Sequence, residues 1–152
     1  MKNSAGIVVI FIVMITQLCL GKGNSQDVPE NVKESFKQKF PSIKKTKWDK
    51  ENESEWEAEF NMNGKKYSAN FSTNGEWLET EYEIRKSDIP EKVRIIMAHN
   101  FSKYKIEEAE IAETPSGKFY EFEIKQGKEE FEIVFDAQGN ITSKKKIEED
   151  EN

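Results

Sequence analysis

Cysteine is nearly absent from these 152 residues, and the single one, Cys19, falls in an apolar N-terminal stretch. Removal of that stretch would leave neither disulfide nor thiolate chemistry to the rest of the chain. Histidine is as scarce. His99 stands alone, so a Ser-His-Asp or Cys-His constellation would have to use it, and no Gly-x-Ser-x-Gly nucleophile turn is present. Zinc sites built from three or four histidines and cysteines are excluded on the same count. Long apolar runs are missing beyond Ala5 to Leu20, which is shorter than the roughly 20 residues a spanning helix needs and is broken by Thr16 and Gln17. No EF-hand spacing occurs among the many carboxylates. Catalytic and metal residues are therefore none.

Basic charge is also in deficit. The chain carries 23 Lys plus Arg against 29 Asp plus Glu, a net of −6. Residues 1–25 have the order of a secretory signal peptide, with Lys2 first, then the apolar stretch, then Gly21, Gly23 and Ser25. Losing Lys2 and Lys22 with this leader takes the basic count to 21 and the net to −8. Such a surface repels nucleic-acid phosphates and favours a basic partner. A periplasmic or extracellular location follows, without stable membrane insertion after cleavage. Lipid anchoring at Cys19 is disfavoured, because Leu18 stands where bacterial lipobox sequences carry a small residue. The acidic run at 148–152 reads as a solvated tail.

Between these ends lies one domain, 26–147, built on an internal duplication of residues 28–84 at 89–147. Val28-Pro29-Glu30-Asn31-Val32 is answered by Ile89-Pro90-Glu91-Lys92-Val93, and Phe40 by Phe101. Ile43, Thr46 and Trp48 align with Ile106, Ala109 and Ile111; Tyr67, Phe71 and Gly75 align with Phe131, Phe135 and Gly139. The spacing drifts only between predicted elements, where insertions belong.

Each repeat opens with a helix. Val28, Val32, Phe36 and Phe40 recur every four residues before Pro41 forbids continuation, and Asp27 is placed to cap. The counterpart has Ser87 or Asp88 as cap and Val93, Ile96, Met97 and Phe101 on its apolar side. Sheet follows. Trp56, Ala58, Phe60 and Met62 alternate with Glu55, Glu57, Glu59 and Asn61, and Asn63-Gly64 then gives a hairpin signal. That turn predicts pairing of Met62 with Lys65, Phe60 with Tyr67, Ala58 with Ala69 and Trp56 with Phe71. A like turn at Asn74-Gly75 predicts Phe71 opposite Leu78, Ala69 opposite Thr80 and Tyr67 opposite Tyr82. A strand near Lys45 to Trp48 leads in, and the second repeat turns at Gln126-Gly127-Lys128 and at Gln138-Gly139.

The hydrophobic-Pro-Glu opening, the aromatic closing the helix, the Asn-Gly hairpin and the segment Phe71-Ser72-Thr73-Asn74-Gly75-Glu76-Trp77 resemble the PepSY-like, β-lactamase-inhibitor-like proteins secreted by Bacteroidetes-type bacteria. The resemblance covers 28–147. It implies an α+β fold of two tandem helix-plus-four-strand units, forming a continuous antiparallel sheet with both helices on one face. Similar inhibitors grip their target with the open sheet face; they carry disulfides, so inhibition itself does not transfer to this chain.

Candidate binding residues are apolar side chains in the polar phase of strands: Trp77, Phe119, Val134 and Ile141, ringed by Glu79, Glu81 and Glu121. Aromatics on a charged sheet commonly anchor interfaces, although isolated exposed hydrophobes also arise from local packing. The strand glutamates read as a solvated face that blocks edge aggregation, with weak Ca²⁺ or basic-ligand binding as the alternative. Together these point to a monomeric, non-enzymatic binding module without a cofactor, engaging an envelope protein or peptide of basic surface. A structural envelope component and a carboxylate hydrolase are the alternatives; the latter needs a pocket with two convergent acids, one of raised pKa.

Overall fold

A computed structural model describes residues 27–147. The signal peptide expected at 1–25 and the acidic tail expected at 148–152 lie outside this range. Helix α1 spans Glu30–Lys39 and α2 spans Glu91–Asn100. Ten-residue helices are marginal alone, so tertiary burial holds them. Val32 and Phe36 on α1, and Val93 and Met97 on α2, are buried, each contributing roughly 1.5–3 kcal/mol as apolar area leaves water. Pro29 and Pro90 occupy the N-cap positions, and no side chain bonds to either helix start. Asp27 and Asp88 therefore do not cap; Asp88 instead belongs to a short 3-10 turn, Lys86–Asp88, where it pairs with Arg85.

The strands are β1 Thr46–Asn52, β2 Glu55–Met62, β3 Lys65–Ser72, β4 Trp77–Glu83, β5 Tyr104–Thr114, β6 Gly117–Gln126, β7 Glu129–Asp136 and β8 Ile141–Ile147. They form one antiparallel sheet in sequence order. Two helices on an antiparallel sheet make the fold α+β.

Asn63 and Gly64 both take positive φ, 53° and 78°, as a hairpin turn matched to strand twist requires. The β2–β3 register then runs from Met62 opposite Lys65 to Trp56 opposite Phe71, the pairing read from the sequence. The next hairpin differs. Only Gly75 is left-handed, at φ 82°; its N–H donates to Ser72 O at 2.8 Å while Ser72 N–H donates to Glu76 O at 2.9 Å. This is a three-residue loop with a glycine bulge rather than a two-residue turn. The ladder runs Ala69–Thr80, Asn70–Glu79, then Phe71–Trp77, leaving Leu78 as an extra, unpaired residue. Phe71 therefore faces Trp77, not Leu78. The same loop recurs at Asp136–Asn140 with Gly139 at φ 82°, and the β7–β8 ladder likewise skips Thr142 to set Phe135 opposite Ile141.

Residues opposite one another in an antiparallel ladder project from the same face. The helix-bearing face can thus be followed from Trp48 through Ala58 and Ala69 to Thr80, and from Tyr82 through Ile111 and Tyr120 to Phe135. Val32, Phe36 and Phe40 pack there with Trp48, Trp56, Phe60 and Phe71. Val93, Met97 and Phe101 pack there with Ile111, Phe122, Ile133 and Phe135. Both helices cover the same side.

Candidate functional site

Along the other phase of the strands the residues are mostly glutamates, and among the described residues no element crosses them. They are nevertheless buried. Glu57, Glu79, Glu81, Glu121 and Glu132 rank with the core in exposure, as do Ser68 and Asn70 between them. On a single-layer sheet this burial is lateral, produced by long side chains crowding one another over the central strands. Register makes the crowding one of like charges. Glu110 lies opposite both Glu83 and Glu121, and Glu123 lies opposite both Glu108 and Glu132. Like charges so placed destabilise a sheet.

The carboxyls respond by holding their protons. Burial, reinforced by Glu79 and Glu132, pushes Glu121 up to about 8. Burial with Glu108 and Glu123 beside it raises Glu110 to about 7, and burial with Glu59 and Glu51 nearby raises Glu57 to about 7. Glu79 and Glu81 are both raised, first by burial and then by neighbouring glutamates, among them Glu110 for Glu79 and, for Glu81, Glu79 itself. Burial raises Glu132 too, against the pull of Lys145. Nearer the β1 edge the pattern reverses. Burial opposes it, but Lys66 at 3.1 Å and Lys47 at 3.2 Å hold Glu59 below the usual carboxylate range.

Glu81, Glu108, Glu110, Glu121, Glu123 and Glu132 line a cavity of about 20 Å³ between β4 and β7. That is room for one water molecule, against the roughly 300–1,000 Å³ of small-molecule pockets. Oε1 of Glu121 and both carboxylate oxygens of Glu132 are buried there without a hydrogen-bond partner. Among the described residues, no group of three or more His, Cys, Asp or Glu is arranged to hold a metal ion. His99 is exposed on α2.

The structure divides the residues singled out in the sequence. Glu79, Glu81 and Glu121 share the helix-free face with Phe119 and Val134, and the last two form a small apolar cluster with Ala112. Val134 is fully buried and Phe119 half-buried. Trp77 and Ile141 are on the other side. Trp77 packs with the α1 core and donates from Nε1 to Thr80 Oγ1 at 2.9 Å; Ile141, opposite Phe135, is 38 % exposed. The extra residue at Leu78 and at Thr142 is the reason, because a one-residue bulge reverses facing across it: Thr80 keeps its expected partner Ala69, while Trp77 and Ile141, just before the bulges, turn to the helix side. The glutamate reading is corrected too: over the central strands the carboxyls are crowded and buried rather than solvated, and burial favours their protonated form. Glu108, Glu110 and Ala112 of β5 were missed, although Glu108 and Glu110 alternate with Ala109 and Ile111 and so carried the signal.

The model of a family described as "Putative beta-lactamase-inhibitor-like, PepSY-like" matches residues 22–65 and 54–143. Solved structures from Bacteroides species share the fold. A BLIP-like protein from Bacteroides fragilis is 19 % identical with a TM-score of 0.70, covering 82 % of this chain and 91 % of its own. A protein from Bacteroides eggerthii, described as one of the "putative periplasmic proteins", is 18 % identical with a TM-score of 0.70, covering 79 % of this chain and 89 % of its own. No curated protein matches the chain. No helix among the described residues is long and apolar enough to cross a membrane.

Proposed function

The chain belongs to the PepSY-like, β-lactamase-inhibitor-like family, and on that premise we propose that it is a non-catalytic periplasmic module that binds a protein or peptide through the helix-free face of its sheet. Its two repeats act as helix-plus-four-strand units that present this face jointly. One observation carries the reading: the face crowds Glu110 against Glu121 and Glu123 against Glu132, around an apolar cluster at Phe119 and Val134. Such pairs weaken the sheet once ionised, so a role outside folding accounts for them. The description of the Bacteroides eggerthii protein as periplasmic supports the location.

A photo-cross-linking residue at Phe119, compared with one at the exposed Ile95 of α2, tests the reading in periplasmic extract. Adducts that form from position 119 and not from 95 support it. Adducts from 95 alone would place the contact on the helices and end it.

A further inference from the structure

The row formed by Glu81 on β4, Glu110 on β5, Glu121 on β6 and Glu132 on β7 places one carboxylate on each of four successive strands. Glu110 is directly opposite Glu121, whereas Glu81 and Glu132 are each displaced by two residues in the same sense, so the row runs diagonally over roughly 20 Å and the midpoints of its three gaps lie about 6 Å apart. Side chains at alternate positions of an extended peptide recur at about 6.8 Å, and three of them span about 14 Å. That repeat is close to the spacing of the three gaps. Resting on the open-face reading above, we propose that this row docks an extended basic segment of a partner protein, laid obliquely across the strands with lysine or arginine side chains at alternate positions over the three gaps between the carboxylates.

Three observations support that occupant. Glu121, 8 % exposed, and Glu132, 4 % exposed, aim carboxylate oxygens into the cavity without a hydrogen-bond partner. An ammonium or guanidinium supplies only donors, and the guanidinium fork fits carboxylate geometry. Cations on this face stand at its margins: Lys66 on β3 is engaged with Glu59, and Lys145 lies opposite Glu132 on β8. A divalent ion is a poorer fit, because the carboxylates are not arranged around a common point.

Entry of a cation must also displace protons. Glu79 and Glu83 of β4, Glu108 of β5 and Glu123 of β6 flank the row, with the Lys125–Glu130 pair beyond them. All of these but Lys125 add negative potential when ionised, so the row ionises fully only in alkaline solution or when a cation arrives.

The test is calorimetric titration of the chain with a blocked seven-residue peptide carrying arginine at its second, fourth and sixth positions and serine elsewhere. A control peptide has glutamine for arginine. Binding should be one to one, release protons, and tighten about tenfold or more between about pH 6 and pH 8.5 as the row ionises. The double variant Glu121→Gln/Glu132→Gln should lose binding at least about tenfold while its melting midpoint at the higher pH rises, a combination that loss of structure cannot produce. Four results would overturn the proposal: binding unchanged in the double variant, binding independent of pH, equal binding of the control, or displacement by millimolar calcium chloride. Concentration-dependent self-association abolished by Glu121→Gln would make a second copy the occupant and overturn it too. Cross-linking from Phe119 without peptide binding removes this inference and leaves the binding function standing; peptide binding without cross-linking does the reverse.

Discussion

The ammonium of Lys39, on the last turn of α1, sits 3.2 Å from the centroid of the Trp77 ring at the start of β4. It joins the helix to the strand that follows the glycine-bulge loop. Nearby, Asn31 Nδ2 donates to Thr73 O at 3.0 Å, holding that loop against the same helix. In the second repeat Lys92 Nζ donates to Gln138 O, so both loops are tied to their helices.

Trp77→Ala should destabilise the fold by roughly 2 kcal/mol, less than the approximately 3–5 kcal/mol of a fully buried aromatic because Trp77 is half-buried. Denaturant melts measure this directly. Cross-linking from Phe119 should persist in the folded variant, since the indole is on the opposite side.

Stability should fall as the solution becomes alkaline. Glu57 and Glu110, raised to about 7, and Glu121, raised to about 8, favour the fold in their protonated form. Their contribution is complete below the ordinary value of 4.5 and is lost as pH climbs through those raised values. Scanning calorimetry should therefore show the melting midpoint dropping between about pH 5 and pH 8.5. A midpoint that rises over this window would show that the carboxyls are not crowded as described.

Glutamine substitutions should separate the two kinds of glutamate. Glu121→Gln removes a repelled, buried charge and should raise the midpoint at pH 8. Glu59→Gln breaks contacts with Lys47 and Lys66, both largely exposed, so its loss should stay within about 1 kcal/mol and shrink with added salt. Equal effects of the two would contradict the electrostatic division of the face.

Gly75 and Gly64 should differ under alanine substitution. At either site positive φ penalises a side chain by about 1 kcal/mol. A Cβ on Gly64 meets open space, whereas one on Gly75 comes 3.0 Å from the Asn31 backbone oxygen and 3.1 Å from Ser35 Oγ. Gly75→Ala should thus cost at least about twice as much. Matching melting curves for the pair would mean the loop does not rest on α1.

Local chemistry was legible in the chain itself. Four-residue spacing and flanking prolines set α1 and α2, and Asn63-Gly64 set a turn whose register follows residue by residue, because these depend on neighbours a few positions away. The PepSY-like resemblance was readable for the same reason: it consists of turns and aromatics at fixed offsets. Asn74-Gly75 looked identical to Asn63-Gly64, yet packing against Asn31 and Ser35 accompanies a longer loop there, and the unpaired Leu78 then turns Trp77 toward α1. One residue of slip inverts a strand's faces, and nothing in the alternation of β4 or β8 records it. Burial of the glutamates was likewise decided only by the sheet, since Glu81, Glu110, Glu121 and Glu132 are far apart in sequence and become neighbours, with protons held against their usual acidity, only when four strands align.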